Sequence, residues 1–314
     1  MKILVTGAGG LLGGRIINFL SQIGHNIVAV SRSYAGCEAW GTSVKVVNID
    51  ISKTSDLCYY LDGVSLVIHT AGVNAAHSIA DHVNALHFNG VVTAKLLNES
   101  IKCDVDRFIY ISTSQVYSNE LKGIINENSC TTNLHPYATS HKAGEDVTLF
   151  ANAKNKIQGT VIRLSNSFGY PLNKNADCWH LLINDLCKQA VLKGSLDLNS
   201  SGNQFRNFIT INEVCKSINF LINEWENSRE YPVINLASKN AITVISMAKL
   251  VQERAQIFLK KKIPLFTKDD QLNLVYSTFS LQTLSLDQLS YSVSDNFVDE
   301  IDKLLEYCNE MFSK

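Results

Sequence analysis

Three glycines near the start of the chain have the spacing of a phosphate-binding turn. Gly7, Gly10 and Gly13 lie between a short apolar run at residues 2–5 and a helix-like stretch at residues 11–23. Glycine permits positive φ and lets a pyrophosphate approach the backbone closely, and the free N–H groups of a helix N-terminus favour negative charge. This position, between a first strand and a first helix, favours a dinucleotide site over a glycine turn without a ligand. The predicted cofactor contacts in the turn are Gly7, Gly10, Leu11, Leu12 and Gly13.

The end of the second predicted strand bears on which dinucleotide is bound. NAD-binding folds usually place an acidic residue there for the ribose 2′-hydroxyl, whereas this chain has Ser31-Arg32-Ser33. Arg32 could pair with a 2′-phosphate, so NADP(H) is favoured over NAD(H); the alternative is an ordinary surface charge. Asp50 and Ile51 follow the third predicted strand, where a side chain could meet the adenine, although Asp50 could equally cap a helix.

Five segments, taken in order, resemble one family. They are Thr-Gly-x-x-Gly-x-x-Gly at residues 6–13 and the segments at residues 111–117, 136–140, 161–169 and 202–209. Together they resemble the extended short-chain dehydrogenase/reductases, and more specifically the NAD(P)-dependent nucleotide-sugar epimerases, dehydratases and reductases. The resemblance runs from residue 3 to about residue 245 and identifies the superfamily without fixing one reaction.

The resemblance implies an acid–base group. Hydride transfer between a carbinol carbon and a nicotinamide must be accompanied by proton transfer at the oxygen, which a phenol performs well when its pKa of about 10 is lowered toward neutrality. By resemblance, Tyr137 is this acid and base, Thr113 hydrogen-bonds the same oxygen, and Asn89 completes the catalytic set. Alone, Tyr137 or Asn89 could simply cap a helix. The ordered occurrence of Thr113 and Tyr137 favours catalysis.

One position departs from the family pattern. The family places a lysine four residues after the tyrosine, where it hydrogen-bonds the nicotinamide ribose and lowers the tyrosine pKa; here the residue is His141, and Lys142 follows it. Glu145 matches the family and argues against a misalignment. We expect His141 to take the place of the lysine, since imidazole can donate one hydrogen bond and supply charge if protonated. The alternatives are that Lys142 reaches across from about 100° around the helix, or that catalysis is weakened. If His141 is neutral, the pH–activity profile should be more alkaline, or the activity slower, than in relatives with lysine.

The resemblance also implies contacts to cofactor and substrate outside the catalytic set. Ala71 and Gly72, in the loop after the fourth predicted strand, would let the backbone approach the cofactor. Asn166 and Arg206 fall where the family contacts the nucleotide sugar, and a guanidinium suits a diphosphate. His180, at the start of a predicted helix, lies near a second acid–base histidine of some relatives, although a histidine in such a position is more often structural.

The residues after Thr113 narrow the set of reactions that the chain could catalyse. Family dehydratases have Asp-Glu there and some epimerase-reductases have a cysteine, whereas this chain has Ser114-Gln115. The expected function is therefore a ketoreductase or C4-type epimerase acting on a nucleotide-linked hexose, in surface polysaccharide synthesis for example. The alternative is an NAD(P)-binding regulatory or scaffold protein with little or no activity, which the His141 replacement makes conceivable.

The elements that must position these residues follow from apolar patterning. Continuous Val- and Ile-rich runs at residues 2–5, 26–30, 44–47, 66–69, 108–111 and 160–164 predict strands buried on both faces. Helix-like stretches alternate with them at residues 11–23, 89–101 and 140–153. This alternation predicts an α/β fold with a Rossmann-type, doubly wound parallel sheet.

The pattern loosens after residue 168, which indicates a second, smaller unit. Loops are predicted at residues 170–177 and 198–204, and helices at residues 179–192, 211–225, 245–258 and 297–312. The predicted division is a dinucleotide-binding domain at residues 1–168, with a returning segment near 207–236, and a discontinuous C-terminal substrate domain at residues 169–206 and 237–314.

Composition sets the broad class. The chain has 314 residues, of which 46% are hydrophobic, and a net charge of −1, which predicts a folded protein and excludes a dedicated nucleic-acid binder. No apolar run reaches the roughly 18–20 residues of a membrane span, and the apolar run at the N-terminus is too short for a signal peptide. A cytoplasmic protein with no membrane partner is therefore expected, and the resemblance implies a homodimer.

The cysteines are expected to be reduced thiols. The eight cysteines are scattered and form no C-x-x-C pair, so neither a disulfide framework nor a metal site is predicted. They are Cys37, Cys58, Cys103, Cys130, Cys178, Cys187, Cys215 and Cys308.

Overall fold

A parallel sheet forms the centre of the computed structural model, which describes residues 1–33, 36, 38–268 and 277–312. Over these residues the strands are β1 Lys2–Thr6, β2 Asn26–Ser31, β3 Val44–Asn48, β4 Leu66–His69, β5 Arg107–Thr113, β6 Gly123–Ile125, β7 Gln158–Leu164, β8 Asn166–Phe168, β9 Leu196–Asp197, β10 Phe205–Thr210, β11 Val233–Leu236, β12 Ala241–Thr243, β13 Leu265–Phe266 and β14 Phe279–Leu281. The α-helices are α1 Leu11–Gln22, α2 Cys58–Leu61, α3 Ala75–Ala80, α4 His82–Leu86, α5 Thr93–Lys102, α6 Pro136–Ala153, α7 Leu182–Lys193, α8 Ile211–Asn223, α9 Trp225–Ser228, α10 Val244–Leu259, α11 Leu284–Gln288 and α12 Val298–Phe312.

The strand order of the main sheet confirms the predicted fold class. Within the described residues the order is β11-β7-β5-β4-β1-β2-β3, and the neighbouring strands pair in parallel. Chain order reverses between β1 and β4, which is the switch point where a doubly wound sheet opens a crevice at the carboxyl ends of its strands. The glycine turn follows β1 and the Ala71–Gly72 loop follows β4, so both lie at this crevice.

Each of the six predicted strands occurs within a residue or two of its predicted bounds. Five of them are buried on both faces, in two clusters that lie on opposite sides of the sheet. The expectation of burial on both faces is wrong for β3, an edge strand in which Val47 is buried and Lys45 is exposed. Strand β11 was not predicted, because its four residues, Val-Ile-Asn-Leu, give too short an apolar run to distinguish from a loop. It pairs with β7 at the edge of the sheet.

A second core lies among α7, α10 and α12. Its buried side chains include Leu186, Met247 and Leu304, together with Phe168 and Phe208 from the short strands β8 and β10. This separate cluster supports the two-domain division, which stays a prediction. Leu286 and Val293 belong by packing to the cluster of the main sheet, whereas the prediction assigned them to the second unit.

A buried ion pair joins the two units. Arg15 of α1 donates to Glu300 of α12 at 2.7 Å, and both side chains are almost fully buried. The same guanidinium lies 3.8 Å above the ring of Tyr170 and donates to its carbonyl oxygen. Because breaking a buried pair leaves an unpaired charge, this contact fixes the second unit beside the glycine turn.

The expectation of reduced cysteines is wrong for one pair. Cys58 of α2 and Cys103, which follows α5, form a disulfide across a sequence separation of 45 residues. Local spacing could not reveal a pair that tertiary packing brings together. Asp56 and Glu99 lie beside Cys58, within 4.8 Å of one another by their ligand atoms, but the Cys58 sulfur is committed to the disulfide and we propose no metal there.

The remaining described cysteines are free thiols, four of them buried. Cys37 lies outside the described residues. Among the described helices, none has both the length and the apolar character needed to cross a bilayer.

Candidate active site

A cavity of about 660 Å³ opens at the carboxyl ends of the strands, at the switch point of the sheet. Its lining includes the glycine turn, the segment around Thr113 and Tyr137, and the loop after β9 together with β10. One cavity therefore joins the glycine turn to residues of the predicted substrate domain. The predicted residues that line it are Gly7, Gly10, Leu11, Leu12, Gly13, Gly72, Thr113, Tyr137, His141, Asn166, His180 and Arg206.

The glycine turn fits a dinucleotide pyrophosphate. Gly7 has φ of +75°, and a Cβ built on Gly13 would lie 2.3 Å from the Gly7 carbonyl oxygen, so neither position admits a side chain. Gly10 is the N-cap of α1 and supplies no side-chain cap, and the first turn carries no acidic residue. The first N–H groups of α1 have no partner within the helix, so they remain available to phosphate oxygens.

The residues predicted to meet the adenosine half lie outside the lining of this cavity. Arg32 is exposed directly after β2. The hydrogen bond from the Ser52 hydroxyl is the main reason that the pKa of Asp50 is lowered, and the charge of Arg32 adds to the same effect. Asp50 accepts from the Ser52 amide at 3.0 Å within a turn, and the next helix, α2, begins only at Cys58, so the helix-cap interpretation of Asp50 is wrong. The Ile51 side chain is buried in the core. Ala71 lies beside Gly72 and donates its amide to Thr6.

Thr113 and Tyr137 lie at the same cavity, as their order in the sequence led us to expect. Tyr137 begins α6 after Pro136, and His135 caps that helix by accepting from the Tyr137 amide. Thr113 ends β5, and the Thr113 and Tyr137 side chains both line the cavity. Burial raises the pKa of Tyr137, and the nearby Thr113 side chain opposes that effect. The two side chains therefore face the same cavity.

A buried charge network holds α6 against β5. Glu145, fully buried, accepts from the Ser112 hydroxyl at 2.6 Å and from Arg163 of β7 at 2.8 Å. Ser112 immediately precedes Thr113, and Glu145 lies two turns after Tyr137 on the same face of α6. The network therefore fixes the position of Tyr137 relative to Thr113.

His141 occupies the position expected of the family lysine. It is 6% exposed, lines the cavity beside Gly72, and its ring packs edge-on against Tyr137 with centroids 4.6 Å apart. Burial lowers the pKa of His141 to about 4, so the imidazole is neutral at neutral pH. The charged form of His141 envisaged from the sequence is therefore absent, and no cation from His141 lowers the pKa of Tyr137.

Lys142 points elsewhere. Its ammonium pairs with Asp146 one turn along α6 and lies 4.0 Å from Glu145. Its contacts are thus with carboxylates on its own helix, and they give no support to the alternative in which Lys142 replaces the family lysine.

Asn89 lies in the middle of a helical run, where the sequence had placed a helix start. The run begins at His82, and residues His87–Val92 form a π-helical segment, a feature frequent at functional sites. The N-cap interpretation of Asn89 is therefore wrong. Its side chain accepts from the Val73 amide at 2.8 Å and donates to Ser140 at 3.0 Å. It ties the loop after β4 to α6, and its catalytic assignment stays a prediction.

The predicted substrate-binding residues are polar side chains that line the same cavity. Asn166 donates to the Asn207 carbonyl oxygen, and Arg206 is exposed at the start of β10. His180 is half-exposed, with its Nδ1 3.4 Å from Asp177, and it precedes α7 by two residues rather than starting it.

Several cavity residues were missed by the sequence analysis. Asp177 lines the cavity and accepts from Asn74 at 2.9 Å, which links the loop after β4 to the second unit. The others are Thr70, Val73, Asp185, Asn199, Ser200 and Gln204. Most of them lie on loops, Asp185 lies in α7, and Gln204 lies in the segment 202–209 without having been singled out there, so proximity in the fold identifies them.

Two relatives cover most of the chain. An uncharacterised UDP-glucose epimerase of Bacillus subtilis is 26% identical over 81% of this chain and 82% of its own length. A putative UDP-glucose 4-epimerase of Methanocaldococcus jannaschii is 24% identical over 80% of this chain and 81% of its own.

Solved structures share the whole fold. The UDP-glucose 4-epimerase of Thermotoga maritima with UDP-glucose superposes with a TM-score of 0.82 at 20% identity over 100% of both chains. The UDP-glucuronic acid 4-epimerase of Bacillus cereus with NAD gives 0.81 at 21% identity, over 99% of this chain and 97% of that one. Residues 3–237 match the NAD dependent epimerase/dehydratase family, and the chain belongs to that family.

Proposed function

We propose that the chain is an NAD(P)-dependent 4-epimerase acting on a UDP-linked hexose. The observation that carries the proposal is that Thr113 and Tyr137 line the same cavity as the glycine turn. The names of the relatives from Bacillus subtilis and Methanocaldococcus jannaschii favour epimerisation over net reduction and favour UDP as the nucleotide.

The chain's own residues would move the proton and hold the sugar. When bound, the nicotinamide accepts and returns the hydride. Tyr137 accepts the proton of the sugar hydroxyl as the carbon is oxidised and gives it back on reduction, while Thr113 hydrogen-bonds the same oxygen. His141 donates a hydrogen bond toward the nicotinamide ribose. Arg206 and Asn166 would contact the diphosphate in the same cavity.

The neutral His141 beside Tyr137 predicts an alkaline pH–rate profile. The phenolate abstracts the sugar proton, and burial raises the pKa of Tyr137, so the reactive fraction increases as pH rises above neutrality. In His141→Lys a nearby ammonium would favour the phenolate and shift the rising limb of kcat/KM to lower pH by about 1 to 2 units.

Lys142→Ala is the matched control for the pH profile. Its ammonium already pairs with Asp146, so we expect the rising limb of Lys142→Ala to coincide with that of the unmodified protein. If the rising limb of kcat/KM moves to higher pH in Lys142→Ala, or stays unchanged in His141→Lys, then Lys142 supplies the positive charge that acts on Tyr137.

We further propose a preference for NADP(H) over NAD(H). Support comes from the lack of a carboxylate at Ser31-Arg32-Ser33 and from the exposed guanidinium of Arg32. Against it, solved structures with this fold contain NAD. Removing a charge-assisted contact costs about 1.5–3 kcal/mol, so Arg32→Ala should weaken NADPH binding by roughly 10- to 100-fold and leave NADH binding within about twofold. Titration by tryptophan fluorescence measures both, and equal losses for the two cofactors would refute the preference.

A non-catalytic NAD(P)-binding protein is the second candidate, favoured by the replacement of the family lysine with His141. The epimerase and the non-catalytic protein are distinguished by incubating the purified protein with cofactor and a panel of UDP-hexoses and 4-keto sugar nucleotides. Interconversion at C4 without net cofactor oxidation supports the epimerase. Stoichiometric oxidation of NADPH indicates a ketoreductase, and tight cofactor binding without turnover indicates the regulatory or scaffold protein.

A homodimer through the helices around α6 is part of the proposal. Ile79, Val83, Leu86 and Val91 expose apolar side chains along the helical run beside α6, and Phe150 of α6 is 66% exposed. Apolar groups of this kind, concentrated on neighbouring helices, favour burial against a second copy.

A role in polysaccharide synthesis and a cytoplasmic location remain predictions. The Cys58–Cys103 disulfide removes one argument for the cytoplasmic location, which was the expectation of reduced cysteines.

A further inference from the structure

A chain of buried polar groups lies behind His141, on the side away from the cavity. Tyr110 of β5, which is 1% exposed, places its hydroxyl 3.0 Å from His141 Nδ1 and 3.3 Å from the Asn89 carbonyl oxygen. The Thr93 hydroxyl donates to that same carbonyl oxygen at 2.7 Å, and His69 Nε2 lies 3.1 Å from Thr93. The sequence motifs assign no role to Tyr110 in this group.

Counting protons fixes the direction of the hydrogen bonds that His69 makes. The single hydroxyl proton of Thr93 goes to Asn89, so His69 must donate through Nε2 and accept at Nδ1, where the Thr6 hydroxyl lies at 2.7 Å. His69 is thus fully satisfied as a neutral structural residue. The Tyr110 hydroxyl has one proton and two acceptors within reach, the Asn89 carbonyl oxygen at 3.3 Å and His141 Nδ1 at 3.0 Å. Because His141 Nδ1 is the nearer of the two and the Asn89 carbonyl oxygen already receives a shorter hydrogen bond from Thr93, we assign the Tyr110 proton to His141 Nδ1.

We propose that Tyr110 is a positioning residue, whose hydroxyl holds His141 as the neutral tautomer with its proton on Nε2, directed to the cavity beside Gly72. The inference deepens the proposed function and rests on it, because the group that this proton would meet is the ribose of the nicotinamide. A histidine ring has one donor in its neutral form, so the hydroxyl of Tyr110 decides whether that donor faces the cavity or the core.

Gly144 provides independent support for this role. It lies inside α6, where glycine costs about 1 kcal/mol relative to alanine. A Cβ at Gly144 would lie 2.6 Å from Cζ and from the hydroxyl oxygen of Tyr110, and also 2.6 Å from the Asn89 carbonyl oxygen. The helix therefore carries an unfavourable residue at a position where a side chain would displace the Tyr110 hydroxyl and the Asn89 carbonyl oxygen, which are both in the hydrogen-bonded group behind His141.

The tautomer can be measured in the cofactor-free protein. Histidine 15N–1H long-range correlation spectra distinguish protonated from unprotonated Nδ1, and the His141 signals are assigned by their loss in His141→Gln. We expect Nδ1 of His141 to be unprotonated and Nε2 protonated at pH 7. In Tyr110→Phe the Nδ1–H form should increase, whereas Tyr291→Phe should leave His141 unchanged, because the Tyr291 hydroxyl contacts only Ser217 among the described hydrogen bonds.

Cofactor affinity gives a second readout. Tyr110→Phe should weaken cofactor binding about tenfold when residue 141 is histidine, but by less than about twofold in His141→Lys, because an ammonium has no tautomer to fix. A proton on Nδ1 of the unmodified protein, an unchanged tautomer in Tyr110→Phe, or equal losses in the two backgrounds would each overturn the inference. If the tautomer is as expected and no epimerisation is found, the proposed function alone fails. The tautomer of His141 in the unmodified protein tests the inference even if Tyr110→Phe does not fold.

Discussion

Tyr137→Phe is expected to lower epimerase turnover by about 1,000-fold while leaving the fold and cofactor binding intact. The substitution removes only the hydroxyl, and general acid–base catalysis by one positioned group contributes typically 10²–10⁴-fold. The remaining ring keeps its edge-on packing against His141 at 4.6 Å. Initial rates of C4 interconversion and cofactor titration, measured on the same preparation, separate the two effects.

Tyr291→Phe is the matched control for the loss of a phenol hydroxyl. Tyr291 stacks on Phe220, where both are partly buried against the core of the main sheet, and Tyr291 is not among the residues that line the cavity. Turnover by Tyr291→Phe should therefore stay within about twofold of the unmodified protein. Turnover by Tyr137→Phe at a comparable level would mean that another group transfers the proton.

The second large effect is expected for Gly13→Ala. The new methyl group would lie 2.3 Å from the Gly7 carbonyl oxygen and 2.7 Å from the Gly7 carbonyl carbon. These are backbone atoms, so the turn itself must move. Overpacking of this kind costs about 1–3 kcal/mol, and displacement of the N–H groups at the start of α1 should raise the cofactor dissociation constant about 100-fold, or roughly 2.7 kcal/mol.

Gly14→Ala tests the same helix one residue further on. A Cβ at Gly14 would meet the Ala8 carbonyl oxygen at 3.3 Å and two side chains at 3.9 Å or more, and alanine is the better helix former. Cofactor binding should therefore stay within about threefold. Equal losses of affinity in both variants would indicate a general disturbance of α1 rather than a phosphate cradle at Gly13.

Much of the site could be predicted from the sequence because its motifs are local. Gly7, Gly10 and Gly13 predict a turn because of the backbone conformations that they permit. Thr113 is at the end of a strand and Tyr137 is at the start of a helix. The buried strands were found from continuous apolar runs, since a parallel sheet covered on both faces leaves no alternation. These signals depend on neighbouring residues in the chain.

The features that were missed depend on distant residues. Tyr110 looks like an ordinary aromatic residue of a buried strand, and only its 3.0 Å contact with His141 distinguishes it. Cys58 and Cys103 are joined by packing of α2 against α5. The charge of His141 could not be predicted either, because it depends on burial that the sequence does not record.

The most direct test of Tyr137 as the proton carrier follows one hydrogen atom. A UDP-hexose carrying deuterium at C4 is incubated with the protein and unlabelled cofactor in ordinary water, and the C4 epimer is analysed by mass spectrometry. We predict that the epimer retains its deuterium and that Tyr137→Phe forms it about 1,000-fold more slowly, because the carbon-bound hydrogen never reaches water and only the hydroxyl proton passes through Tyr137. Loss of deuterium to the solvent, or an undiminished rate in Tyr137→Phe, would contradict the account.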